Sequence, residues 1–134
     1  MHRNYFGLAV VAVVGIATFA TSAFAAEHTK DTAAEVKKAI ENDKAVLVDV
    51  READEWQDGH LKGVKHIALS DLKAGIPADK LKELIPGDKV VYLHCASGQR
   101  CLKAAELLKA AGYEVRPLKS GYNDLLKAGF EIAK

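Results

Sequence analysis

Lys89-Val90-Val91-Tyr92-Leu93-His94-Cys95-Ala96-Ser97-Gly98-Gln99-Arg100-Cys101 is the stretch that decides how this chain folds. Its first six residues are an apolar run with polar ends, the pattern of a strand buried on both faces. The strand runs straight into Cys95, a short polar loop follows over Ala96 to Arg100, and Cys101 to Ala111 then reads as a helix. Leu102, Ala104, Ala105 and Leu108 recur at helical spacing, and Gly112 supplies the stop. A strand, a tight loop and a returning helix are the building unit of a parallel sheet.

The same alternation extends in both directions. Ala45 to Val50 is a second apolar run carrying one acid, Asp49. Ala53 to Asp58 reads as a short helix ended by Gly59, and Val64 to Ile67 as a brief strand. Short helices follow, one from Ser70 and one over Asp79 to Ile85, punctuated by Gly75, Pro77 and Pro86-Gly87. Upstream, Asp31 or Thr32 caps a helix running to about Asn42, with Ala34, Val36, Ala39 and Ile40 near one face. Downstream, Tyr113 to Leu118 is a third long strand, and Ser120-Gly121 turns the chain into a helix over Tyr122 to Ala128. The expectation is an α/β fold whose mainly parallel sheet is covered on both faces. Such sheets place their chemistry at the carboxyl ends of the strands, where Cys95 stands.

The first 25 residues read differently. Arg3 without an acid, an apolar run over Leu8 to Ala20 and then Ala23-Phe24-Ala25 make the three parts of a secretory signal peptide. The run is shorter than the roughly 20 residues that span a bilayer. The expected organisation is a leader over residues 1–25 and one domain over 26–134, periplasmic or secreted, with no stable membrane association after cleavage. The whole chain has 19 basic and 18 acidic residues. So neutral a balance gives no reason to expect a nucleic-acid partner.

Two cysteines, Cys95 and Cys101, are too few for a disulfide framework, and a domain this size does not need one. A single bridge between them is the plain alternative in an oxidising compartment. The loop after Cys95 suggests more. A curled loop turns successive N–H groups inward, and with the start of the following helix they form a nest for an anion. Gly98 permits the positive φ that the curl needs, and Arg100 adds a fixed positive charge. These terms favour the thiolate, the nucleophilic form. They favour equally a persulfide, Cys–S–S⁻, whose outer sulfur is also an anion. Cys95 is therefore the candidate catalytic residue, with Ala96, Ser97, Gly98, Gln99 and Arg100 as the candidate binding loop. The opposing possibility is that Cys95 is a small buried hydrophobe.

With these residues in view, the chain resembles the rhodanese-homology domains over nearly all of Ala34 to Ile132. CASGQR resembles the family's six-residue active-site loop: cysteine first, glycine fourth, arginine last. VDVREADEWQDGHLKGVKHIAL is similar to its upstream signature and puts Asp49, Arg51, Glu55, Gly59, His60 and Gly63 on family positions. The resemblance implies a three-layer α/β/α domain and a sulfurtransferase working through a Cys95 persulfide, with Asp49 and Arg51 buttressing or lining the pocket. The implied donors are thiosulfate, a polysulfide or an organic persulfide, and the implied acceptors a thiol or cyanide. Position 96 is alanine, where thiosulfate-specific members often carry a basic residue.

Two other readings stand beside this one: a sulfur or redox carrier that hands its cargo to a protein acceptor without turnover, and a cysteine-phosphatase-like enzyme. Related phosphatases place five residues between cysteine and arginine, which fits a phosphate, whereas this chain has four. Cys101 is a candidate resolving thiol that would release sulfide from the persulfide, or else an inert residue at the helix start. His94 neighbours Cys95 but points to the opposite face of its strand, which suits a hydrogen-bonded core or loop-bracing role better than a general base. His60 is expected to order the turn after Gly59, and Trp56 and Tyr122 to be core or rim aromatics. Asp49 in an apolar strand needs a partner, Arg51 or the loop amides. No histidine spacing suggests a metal site, no cofactor is implied, and a monomer is expected.

Overall fold

The computed structural model describes residues 25–134, so the expected leader, apart from Ala25, lies outside the described residues. The elements in chain order are α1 (Ala33–Glu41), β1 (Ala45–Asp49), α2 (Ala53–Asp58), β2 (Lys65–His66) and α3 (Leu69–Ala74). They continue with α4 (Ala78–Leu84), β3 (Val90–His94), α5 (Arg100–Ala110), β4 (Val115–Pro117) and α6 (Tyr122–Lys127). The strands pair in the order β2-β1-β3-β4, all parallel.

Strand alternation divides the core into two halves. On one face Val48, Val50, Val91, Leu93, Cys95 and Val115 meet Leu69 and Leu72 of α3, Leu81 of α4, and Cys101, Ala104, Ala105 and Leu108 of α5. On the other, Ala45, Leu47 and Tyr92 meet Val36 of α1 and Leu125 of α6. Successive residues of β1 and β3 thus serve opposite layers, which is why both runs are apolar throughout. The result is the expected α/β/α arrangement.

The element ends are tighter than the sequence suggests. The strands expected over 64–67 and 113–118 shorten to two and three residues. β4 ends on Pro117, which has no N–H to donate, and it lies at the sheet edge where that loss is tolerated. Thr32 is the N-cap of α1 and forms a capping box with Glu35. Asp31 instead accepts from Tyr92 Oη at 2.6 Å and from Arg116 at 2.8 Å. Ala34 is exposed, and Ala33 takes its place beside Val36, Ala39 and Ile40. α5 begins at Arg100, and its core stripe is Cys101, Ala104, Ala105 and Leu108; Leu102 is only half-buried. Both registers fit a 3.6-residue period, and the packed one puts the second cysteine inside.

Candidate active site

Cys95 follows the carboxyl end of β3 and is fully buried. Its backbone is held from two sides. His94 O accepts from Val50 N at 3.0 Å, and Cys95 O accepts from Tyr122 N at 2.9 Å. The chain then curls through Ala96, Ser97, Gly98 and Gln99 into α5. Gly98, at φ +84°, turns its N–H back onto Cys95 Sγ at 3.2 Å. The amides of Ser97 and Cys101 face the same sulfur. This is the anticipated nest, closed over its sulfur.

The nest makes an acidic thiol. The Cys101 thiol beside it contributes most, and the amides of Cys101, Ser97 and Gly98 add to it against the opposing cost of burial. Together they hold the Cys95 pKa down to about 5. Both cysteines are free thiols. Cys101 Sγ also lies 3.1 Å from Gly98 O and 3.2 Å from Leu118 O. One S–H proton therefore has two carbonyls and the neighbouring sulfur as acceptors, and the ionised sulfur is the strongest of them. The negative charge on Cys95 and burial push the Cys101 pKa far up, so Cys101 stays protonated and donates.

Of the five loop residues, Ala96, Ser97 and Gln99 are exposed, Gly98 is buried and Arg100 is partly buried. Arg100 is not a free cation. Its guanidinium forms a fork with Glu55 of α2, at 2.5 Å and 2.8 Å. That contact, helped by the Glu52 amide, holds the Glu55 carboxyl down to about 2 despite partial burial.

Asp49 and Arg51 form a second buried unit on the other face of the sheet. Arg51 Nε and Nη2 reach Asp49 Oδ2 at 2.9 Å and 2.8 Å, and Nη2 also donates to Gly59 O at 2.7 Å. The Arg51 guanidinium lies over the Tyr122 ring, 4.1 Å from its centroid. Since Tyr122 N holds Cys95 O, this unit supports the nest from behind. His94 pairs in register with Asp49 and shares its face, away from the Cys95 side chain. Its Nε2 is 3.7 Å from Asp49 Oδ2, but among the described residues neither ring nitrogen has a hydrogen-bond partner. The expected hydrogen-bonded brace is thus absent there. Burial lowers the His94 pKa, so the ring is a neutral core group.

Three contacts were not visible in the sequence. Glu55 stood on a family position with no partner assigned to it. His28 Nε2 donates to Gly98 O at 2.6 Å, from an N-terminal strap tied down by Thr29 N to Pro117 O at 2.8 Å. Gly121 packs so closely on the loop that a Cβ there would fall 1.8 Å from Ala96 O. Its φ of −83° is ordinary, so the need for glycine is steric. Trp56 is stacked between His60 at 3.6 Å and His66 at 4.8 Å, and His60 Nδ1 donates to Trp56 O at 2.9 Å, ordering that turn. A cleft of about 530 Å³ near the start of β1, between Lys37, Ile40, Val64 and Phe130, contains none of the loop residues.

Comparison with known proteins agrees with this geometry. The profile of the Rhodanese-like domain matches residues 32–128. An uncharacterised protein of Bacillus subtilis strain 168, YqhL, is 41% identical over 80 residues, which is 59% of each chain. A second protein of that strain, YrkF, named as a sulfur carrier, is 29% identical over 97 residues, 66% of this chain and 49% of its own. The chain thus spans about half to three fifths of these relatives. The crystal structure of the Saccharomyces cerevisiae single-domain sulfurtransferase RDL2 superposes with a TM-score of 0.60 at 28% identity, covering 75% of this chain and 94% of that one. With the strand–cysteine–nest–helix unit, the parallel sheet between two helical layers and the matched span in agreement, this chain belongs to the rhodanese-like domain family.

Proposed function

We propose that this chain is an exported sulfurtransferase that carries sulfane sulfur as a persulfide on Cys95. The observation that carries the reading is the Gly98 N–H turned onto Cys95 Sγ within a ring of amides. Sulfur transfer needs a nucleophilic sulfur that is anionic before and after loading, and inward amides stabilise both forms. The likeness to a sulfur carrier and to a single-domain sulfurtransferase supports the same chemistry.

In the first half-reaction the Cys95 thiolate attacks the outer sulfur of the donor. The donor's S–S bond breaks with its electron pair on the departing thiolate or sulfite, and a new Sγ–S bond forms. In the second, a thiol acceptor or cyanide attacks the outer sulfur, the Sγ–S bond breaks, and Cys95 returns as thiolate. Charge is conserved in each step. Cys101 serves as a thiol donor to the sulfur; its raised pKa argues against a resolving thiolate that would release sulfide. Asp49 and Arg51 keep Tyr122, and through it the Cys95 carbonyl, in place.

Intact-mass spectrometry after incubation with thiosulfate, inorganic polysulfide or an organic persulfide tests the reading. One added sulfur is expected on the wild type and none on Cys95→Ser. Absence of the adduct with all three donors rejects it. A carrier without turnover is the second reading, favoured by the likeness to YrkF. It predicts loading without release to cyanide or small thiols. Export over residues 1–25 is tested by fractionation and N-terminal sequencing, with Ala26 the expected first residue.

A further inference from the structure

The two arginines of the site are each paired with a carboxylate. Arg100, the cation of the loop, is held by both oxygens of Glu55 at 2.5 Å and 2.8 Å. Arg51 is held by Asp49 and by Gly59 O. Position 96, next to the sulfur and exposed, is alanine. Lys119 is exposed and meets the loop through its backbone, its carbonyl oxygen lying 2.6 Å from the Cβ position of Gly98. His28 likewise engages the backbone at Gly98 O. With Cys95 ionised, these two pairs contribute no net charge to set against the sulfur.

We infer that Glu55 sets donor selectivity: by neutralising Arg100 it turns the site away from dianionic donors such as thiosulfate and toward organic hydropersulfides. This rests on the sulfurtransferase reading above and deepens it. A dianion must approach an anionic nucleophile, which requires an uncompensated cation at the mouth. Glu55 removes the one that the loop supplies. A hydropersulfide brings at most one charge and places it on the sulfur that the amide ring already receives. Both reactions balance without a further reagent. Thiosulfate gives Cys95–S–S⁻ and sulfite. A hydropersulfide RSSH gives Cys95–S–SH and RS⁻, the proton being shared out with solvent.

Steady-state cyanide turnover with thiosulfate and with 2-hydroxyethyl hydropersulfide, compared between wild type and Glu55→Gln, tests the inference. Glutamine keeps an acceptor oxygen for the Glu52 amide, which Glu55 Oε1 now meets at 3.2 Å, and for Arg100, while removing the charge. The ratio of kcat/KM for thiosulfate to that for the hydropersulfide is expected to rise about tenfold, mainly through KM for thiosulfate. The gain should shrink as salt is raised. A change that affects both donors equally would mean that Glu55 only props the loop, and the inference would fall. Ala96→Lys, which adds a cation at an exposed position without touching Glu55, should shift the ratio the same way, and an unchanged ratio there would also overturn it. Loading with neither donor in the wild type would remove the sulfurtransferase reading as well, whereas loading with an unchanged ratio in Glu55→Gln removes only the charge filter.

Discussion

Two buried ionisable groups lie at the carboxyl ends of adjacent strands, on opposite faces of one sheet, and they are kept in opposite ways. Asp49, at the end of β1, meets a formal positive charge, the Arg51 guanidinium. Cys95, after β3, meets the Gly98 N–H and the amides and thiol around it. A guanidinium pair satisfies its carboxylate and leaves it inert. Amides stabilise an anion without cancelling its charge, so the sulfur stays available to react. The difference separates the part of this molecule that holds from the part that can do chemistry.

Substitution at the two centres should separate stability from activity. Asp49→Ala leaves Arg51 buried without its partner, and a loss of about 3–5 kcal/mol is expected in denaturant unfolding. Cys95→Ser should abolish sulfur loading and cost far less stability. If both variants lost stability alike, the two centres would be one structural unit and the contrast would fail.

The next effect concerns how the nest is closed. Gly121→Ala puts a methyl group 1.8 Å from Ala96 O, a collision with backbone that has no side chain to rotate away. Loading should fall at least tenfold, with about 1–3 kcal/mol of stability lost from the forced shift. Circular dichroism together with the mass assay separates a displaced loop from a failed fold.

A smaller and more specific effect tests the thiol donor. In the wild type the rate of alkylation of Cys95 by iodoacetamide should rise with pH through a midpoint of about 5. Cys101→Ala should move that midpoint upward, and Cys101→Ser, which keeps a donor, should largely restore it. The sign for stability follows from linkage. The folded pKa lies below the ordinary cysteine value, so the contribution of the thiolate is complete above that ordinary value. It is lost progressively as pH falls toward about 5. Stability should therefore rise with pH across that window in the wild type, and less steeply in Cys101→Ala.

The smallest effect is expected at the strap. His28→Ala removes the histidine donor from Gly98 O and leaves the Gly98 N–H on Cys95 Sγ untouched. Loading at pH 7 should drop less than threefold, with His28→Gln intermediate. A larger drop would make the strap an essential wall of the site.

The sequence carried the fold and the centre of the site through local regularities. The continuous apolar run of Val90–Leu93, the helical spacing after Arg100 and a glycine at position 98 are all read within a dozen residues or so. Their outcome depends on strand pleat, helix period and backbone freedom, which are properties of the chain itself. The same regularities placed Ala104, Ala105 and Leu108 on the inner face of α5 but chose Leu102 over Cys101, since both fit the period and only packing against α3 and the sheet decides between them.

What remained hidden joins distant parts of the chain. Glu55 meets Arg100 across 45 positions and His28 meets Gly98 across 70. Gly121 presses on Ala96 where the start of α6 crosses the loop. Nothing in local composition distinguishes a glutamate that neutralises an arginine from one that faces water, because the distinction depends on where another element lies. By itself, then, the sequence determined a parallel α/β domain with a cysteine held in a ring of amides. Tertiary structure alone decided which charges that sulfur sees, because Coulomb energy depends on distances in space that residue order does not contain.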